Sequence, residues 1–397
     1  ILILRKEVYK LSFKVFNFIY YMTMAAKSFF NIHFSNLGYT STQIGTINSV
    51  ARGVALFILP IWGMASDNFK ANKRVLQFAI FGTMAFSLMF LTTSNFMIII
   101  ILMVFLSSFM NPIRPLYDSL LFSNLGEEGQ NKYGRYRLWG SIGYTIIVPI
   151  LGYFLEGTNV SNTFYVMAGL LFLTLLISTR LPKNKVQEAS TDQEQEENEG
   201  GRFANIGKLF ENKLFVAFLI YVFFMQITMN GNLTYFPLYV LEYGGKEGLF
   251  GLTKMVGSIS EILILIFSDK ILDRFNIKHI FGVSSSAFVI RWLLLGFFPM
   301  RSIFLGSQIL HSLSFGLFYV TCVNFINKVT KDDVKSTAQN VFTSVYIGLG
   351  SIVGNMVGGV IFDRLGGDIM YLTWAALAFT AGLGYYVFLT QTEKRVA

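Results

Sequence analysis

The chain lacks most of what a soluble enzyme is built from. Charged residues make up only 14% of its 397 positions, against roughly 25% in ordinary soluble domains, so a soluble domain is excluded. One cysteine, Cys322, rules out a disulfide framework and reads as a packing residue within a helix. No cluster of metal-ligand spacing, no nucleophile elbow and no phosphate-cradling glycine loop occurs. Neither an enzyme, nor a metal, nor an organic cofactor is therefore expected. The runs of apolar residues are too long and too continuous for the alternating strands of a β-barrel. The first of them is also too long for a cleavable signal peptide.

What fills the chain instead is apolar: 53% hydrophobic and 16% aromatic residues, with a mean hydropathy of +0.53. Stretches long enough to span a bilayer fall near 11–37, 41–66, 75–94, 96–122, 135–157 and 161–180. Six more fall near 213–241, 246–271, 279–298, 301–328, 338–364 and 368–390. The net charge of +9 suggests nucleic acid only until its distribution is traced. With both ends inside, 23 of the 32 Lys and Arg residues lie on the cytoplasmic face, three outside and six within the membrane. That is the positive-inside pattern. It predicts an all-α protein of the cell membrane with twelve transmembrane helices and cytoplasmic termini, and it leaves no basic patch for nucleic acid.

One long polar stretch, 182–212, separates an N-terminal half (1–181) from a C-terminal half (213–397) of six helices each. Its centre, Glu188 to Glu199, is acidic and free of aromatics, as in a solvated linker. A weak repeat supports the division. Helix two ends in Gly63-Met-Ala-Ser-Asp67 with Lys73 and Arg74 following, and helix eight ends in Ser268-Asp269-Lys270 with Asp273 and Arg274 following. An acid at a helix end beside basic residues can cap backbone and pair across a loop, so Asp67, Arg74, Asp269 and Arg274 are candidate latch residues. Two six-helix halves with this loop resemble the major facilitator superfamily, and the resemblance implies the twelve-helix major facilitator fold. The first copy lacks the usual Gly and Arg around Phe69.

Eight ionisable side chains sit inside the apolar segments: Lys27, Arg52, Arg114, Asp118, Arg137, Lys254, Glu261 and Arg291. A charge at bilayer depth costs a few kcal/mol even on lenient scales, so each is expected to face a protein interior or a wet pathway. Arg114 and Asp118 are four apart and share a helix face. They serve either as a structural ion pair or as an exchangeable carboxylate in a solute path, beside Pro112 and Pro115, which bend the helix. In helix five, Arg137, Ser141 and Tyr144 form one stripe, while Gly140 and Gly143 allow close helix packing. In the C-terminal half, Glu261, Arg291 and His311 are candidates for a proton relay.

Gly134-Arg-Tyr-Arg137-Leu-Trp-Gly140-Ser-Ile-Gly143, Glu261, Arg291-Trp292 and Gln308-Ile-Leu-His311-Ser-Leu-Ser-Phe-Gly316 make the resemblance more specific. The chain looks like the branch that holds lactose permease and the related oligosaccharide, nucleoside and phenylpropionate permeases. The resemblance implies that Asp118 and Arg137 bind solute, that Tyr144 stacks on a ring, and that Glu261, Arg291 and His311 belong to a proton and solute network. It also implies a monomer. This chain departs from the pattern at Ser314, where a second proton-carrying carboxylate is usual. It departs again at Gln226 and Met229, in place of helix-seven aspartates, and at Ile347, in place of a helix-eleven lysine.

The expectation is a secondary transporter with a small-molecule partner in the lipid bilayer, coupling a proton to a saccharide or nucleoside. Six basic groups against two acidic ones within the membrane also suit a small organic anion, with Lys27, Arg52 or Arg114 as its counter-ion. Drug efflux, and a non-transporting sensor or scaffold, are the remaining alternatives.

Overall fold

A computed structural model describes residues 2–69, 72–126, 129, 132–182, 207–331 and 334–396. Side chains at 2–6, 56, 59, 60, 63, 65–69, 72, 395 and 396 are not described. The centre of the expected linker, 183–206, lies outside the described residues. Among the described residues there is no strand.

Each of the twelve expected spans falls on helix. They are α1 (Leu2–Lys27, continued by Phe30–Asn36), α2 (Ser41–Phe69), α3 (Asn72–Met89), α4 (Phe96–Met110 and Ile113–Leu125), α5 (Tyr133–Glu156) and α6 (Asn162–Ser178). Then come α7 (Lys213–Glu242), α8 (Glu247–Arg274), α9 (Ile277–Phe297), α10 (Arg301–Gly306 and Phe318–Val329), α11 (Lys335–Thr343 and Gly350–Leu365) and α12 (Gly367–Val396). Among the described residues, eight helical spans are individually long and apolar enough to cross a membrane.

The interruptions have local causes. α4 breaks at Asn111-Pro112, because a proline has no N–H to give the preceding turn. α1 tightens at Ser28 and Phe29, whose amides bond back three residues, to the Ala25 and Ala26 carbonyls. α10 and α11 each contain a π-helical turn, Ser312–Leu317 and Ser344–Leu349. Such wide turns recur at functional positions.

The helices group into two units. One holds residues 1–39, 50–190 and 246–255; the other holds 40–49, 191–245 and 256–397. In the first, α1 packs on α5 and α6, and α3 packs on α4 and α6. In the second, α7 packs on α11 and α12, and α9 packs on α10 and α12. Adding six to every number converts one set into the other, so the helix contacts repeat between the units.

Between helices in lipid there is little hydrophobic drive, and close backbone approach over small residues takes its place. In α5 a Cβ on Gly143 would stand 2.2 Å from the Phe18 carbonyl oxygen of α1. In α11 a Cβ on Gly354 would stand 2.4 Å from the Ile227 carbonyl oxygen of α7. Aromatic rings fill the remainder: Phe90 stacks on Phe164 at 5.3 Å, and Tyr221 on Tyr385 at 4.5 Å.

Acids at the ends of α5 and α11 sit over the first turns of α8 and α2. Asp363 accepts hydrogen bonds from the Ser41 and Thr42 amides, both at 2.7 Å, and so caps α2 from another helix. Glu156 lies 3.5 Å from the Lys246 ammonium, and a Cβ on Gly248 would fall 2.5 Å from its Oε2.

Two outcomes follow from this packing. Gly143→Val should force α1 and α5 apart and cost about 1–3 kcal/mol. Gly134→Ala, with open space around its Cβ, should not lower Tm in the same thermal-unfolding assay, since alanine is the better helix former. Asp363→Ala should cost about 1 kcal/mol by uncapping α2, read as a Tm drop that Asp269→Ala, at an exposed site, does not reproduce.

Candidate functional site

In the first unit, the second segment of α4 presents Arg114 and Asp118 one turn apart, and the start of α5 brings Tyr133 against both. Tyr133 donates to Asp118 Oδ2 at 2.9 Å and accepts from Arg114 Nη2 at 3.3 Å, while Arg114 Nε lies 3.8 Å from the same carboxylate oxygen. The guanidinium also lies 5.9 Å from the Tyr21 ring centroid. Asp118 is half-buried, so its carboxylate is held without being sealed.

Arg137 is exposed, within electrostatic range of Asp118 but with no direct bond to it. The acid's immediate partners are therefore Arg114 and Tyr133. Tyr133 is a residue the sequence reading passed over, although its spacing of four from Arg137 puts it on the Arg137 face of α5. Farther along that stripe, the Tyr144 hydroxyl lies 3.2 Å from Ser28 Oγ at the tightened turn of α1. Lys27 precedes that serine and is half-buried. Lys254 places its ammonium 5.3 Å from the Phe250 ring centroid.

The second unit brings Glu261, Arg291 and His311 into one chain of contacts. Arg291 is 1% exposed. Its Nη2 donates to Gln308 Oε1 at 2.9 Å, and its Nη1 lies 3.0 Å from His311 Nδ1 and 3.5 Å from Ser314 Oγ. Its plane lies 4.9 Å from the Trp292 ring centroid. On the other side of the imidazole, Nε2 is 3.9 Å from Glu261 Oε2. The turn that delivers His311 leads directly into the π-helical segment of α10.

This arrangement fixes a tautomer. Arginine only donates, so His311 Nδ1 must be the bare nitrogen and the ring proton sits on Nε2, toward Glu261. A second proton on the ring would set N–H against N–H at Arg291. The charged imidazole and the Arg291 contact are therefore mutually exclusive.

The departures from the family pattern also have places. Ser314 occupies the carboxylate position and offers Arg291 a hydroxyl. Gln226 is buried and accepts from Asn230 Nδ2 at 3.0 Å; Met229 is buried beside it, and Ile347 is exposed. Asn230 and Gln308 are polar residues of this unit that the sequence reading did not single out as functional. Of the candidate latch residues, the Asp67 side chain lies outside the described residues. Arg74, Asp269 and Arg274 are exposed, and no ion pair joins Asp269 to Arg274 among the described residues. Near the first loop it is Lys73 that bridges, donating to the Thr179 and Leu181 carbonyls at 2.7 and 2.5 Å. No group of three or more His, Cys, Asp or Glu residues suited to a metal ion occurs among the described residues.

Known proteins share this architecture. The "Uncharacterized transporter YwbF" of Bacillus subtilis (strain 168) is 27% identical over 363 residues, covering 89% of this chain and 86% of its own. The maltose permease of Geobacillus stearothermophilus is 25% identical over 355 residues, covering 89% and 87%. The nucleoside permease NupG of Escherichia coli (strain K12) is 25% identical over 358 residues, covering 83% and 82%. A crystal structure of nucleoside transporter NupG superposes with a TM-score of 0.84 at 18% identity, covering 96% of this chain and 98% of that one. The shared fold is the major facilitator fold, an all-α membrane architecture. A profile described as the MFS_1 like family matches residues 10–373, so the chain belongs to that family and is a multi-pass solute transporter.

Proposed function

We propose that the chain is a proton-coupled symporter that moves a saccharide or nucleoside across the cell membrane by alternating access. The contact chain Arg291–His311–Glu261 carries this reading. A membrane carboxylate and a neutral imidazole 3.9 Å apart make a two-site proton store. Charging the imidazole displaces Arg291, which links the proton to a side-chain movement. Ser314, a hydroxyl in place of a second acid, concentrates proton binding on Glu261 and His311.

The solute class is supported by two things. The relatives include proteins named for maltose and for nucleosides. Asp118, presented by Tyr133, also offers an acceptor suited to solute hydroxyls, with Arg137 and Tyr144 on the neighbouring α5 stripe. In this reading 1–181 and 213–397 are the two halves of the transporter, with 182–212 as a cytoplasmic linker and both termini inside. The protein works as a monomer, with no enzymatic step and no cofactor beyond the proton.

Reconstituted protein tests the coupling. Glu261→Gln should abolish accumulation driven by an imposed pH gradient while leaving solute counterflow measurable. Undiminished accumulation by that variant would overturn the assignment. For the solute, Asp118→Asn should weaken binding of the preferred sugar or nucleoside by about 10- to 100-fold, the usual loss when a charge-assisted hydrogen bond is removed. Titration calorimetry on the purified protein reads this directly.

A further inference from the structure

Lys27 and Arg52 lie on successive helices, at similar distances in sequence from the turn between them. A four-residue turn, 37–40, joins α1 to α2. Counting nine residues back from Asn36 and eleven forward from Ser41 gives roughly 14 and 16 Å at 1.5 Å per residue. The two cations lie within electrostatic range of each other. No carboxylate among the described residues comes within ion-pair distance of either one. Both residues are half-buried.

Two further features mark the place. α1 is interrupted immediately after Lys27, at the Ser28–Phe29 turn, and interrupted membrane helices are where transporters expose backbone to a ligand. The Ser28 hydroxyl then meets Tyr144 at 3.2 Å, which joins the cation pair to the α5 stripe. Phe29 meets Phe250 edge-on at 5.2 Å, and Lys254 approaches that ring, adding a third positive charge to the neighbourhood.

Two like charges within electrostatic range of each other in apolar segments oppose folding. A structural role does not account for them, because neither neutralises an acid among the described residues. We infer that Lys27 and Arg52 form an oxyanion subsite, so that the transported solute carries a carboxylate or phosphate in addition to its polar ring. The inference rests on the transport reading above and narrows its solute class. Arg52 supplies a planar fork of donors and Lys27 a compact charge, a combination matched to an oxyanion rather than to a neutral hydroxyl.

Matched pairs test it on the purified full chain. Glucose is titrated against glucuronate, and uridine against uridine 5′-monophosphate, with sodium acetate and sodium phosphate alone as ring-free probes. The anionic member of one pair should bind at least about tenfold more tightly than its neutral twin, a difference well resolved by calorimetry. Lys27→Gln and Arg52→Gln should each bring the anionic member down to its twin. Each should also raise the Tm of the ligand-free protein, since either change relieves the repulsion. Preference for glucuronate identifies a sugar acid as the solute class, and preference for the monophosphate identifies a nucleotide-like solute. The inference is overturned if no oxyanion, free or ring-borne, binds more tightly than the neutral compounds, or if the variants lower the ligand-free Tm. Binding of the neutral twins alone would sink this subsite and leave the proposed solute class standing. Phosphate binding as tightly as the monophosphate would keep the subsite and sink that class.

Discussion

Arg291 is the constraint on which the second unit depends. A guanidinium with 1% exposure and no carboxylate within ion-pair distance among the described residues keeps its charge only through neutral acceptors and an aromatic face. Gln308, His311 and Ser314 provide the acceptors, and Trp292 provides the face. Desolvating a cation costs several kcal/mol, and removing any one acceptor leaves part of that cost uncompensated. The neighbouring residues are fixed accordingly. Gln308 is held in turn by the Phe304 carbonyl, and Ser260 reaches the Gln308 carbonyl from α8 at 3.0 Å. The proton role proposed for His311 rests on the same requirement, because an imidazole recruited as an acceptor is an imidazole kept neutral.

The first unit handles charge differently. Asp118 stands in contact with one cation, Arg114, and in the range of a second, Arg137, while Tyr133 bridges donor and acceptor. A phenol that accepts from a guanidinium becomes a better donor to a carboxylate, so the three groups polarise one another. The half-buried carboxylate is thereby oriented without being sealed, as the proposed hold on a solute hydroxyl requires.

Much of this was legible in the sequence, and the reasons are physical. The twelve spans could be read because lipid forbids unsatisfied backbone and so demands long apolar helices. Glu261, Arg291 and His311 could be singled out because ionisable groups at that depth are too costly to be incidental. Gly143 fitted its expected role because only glycine lets an α-helix backbone approach a carbonyl so closely. The partner of Asp118 was less legible. Spacing puts Arg114 on the Asp118 face but does not rank it against Arg137, and the bonds of Tyr133 to both Arg114 and Asp118 are a tertiary fact. The capping of α2 by Asp363 was also hidden, since the two residues are 321 or more positions apart. The interruption of α1 after Lys27 carries no proline or glycine to announce it.

The repeat shows how far one backbone plan can be put to different chemistry. Both units share the same helix partners, the same glycine seats at Gly143 and Gly354, and an acid set over a helix start at Glu156 and Asp363. These are contacts of backbone and small side chains, and backbone geometry tolerates little change once helices pack this closely. The polar residues of the apolar segments are under no such restriction, and they differ between the units. The first unit concentrates cations, with Lys27, Arg52 and Arg114 set against Asp118 as the acid of its apolar segments. The second keeps one sealed cation among amides, hydroxyls and an imidazole. A concentration of positive charge suits holding a solute, and a sealed cation beside a titratable ring suits sensing a proton. In the proposed reading, the division of labour between the units thus lies in side chains that the packing leaves free to vary.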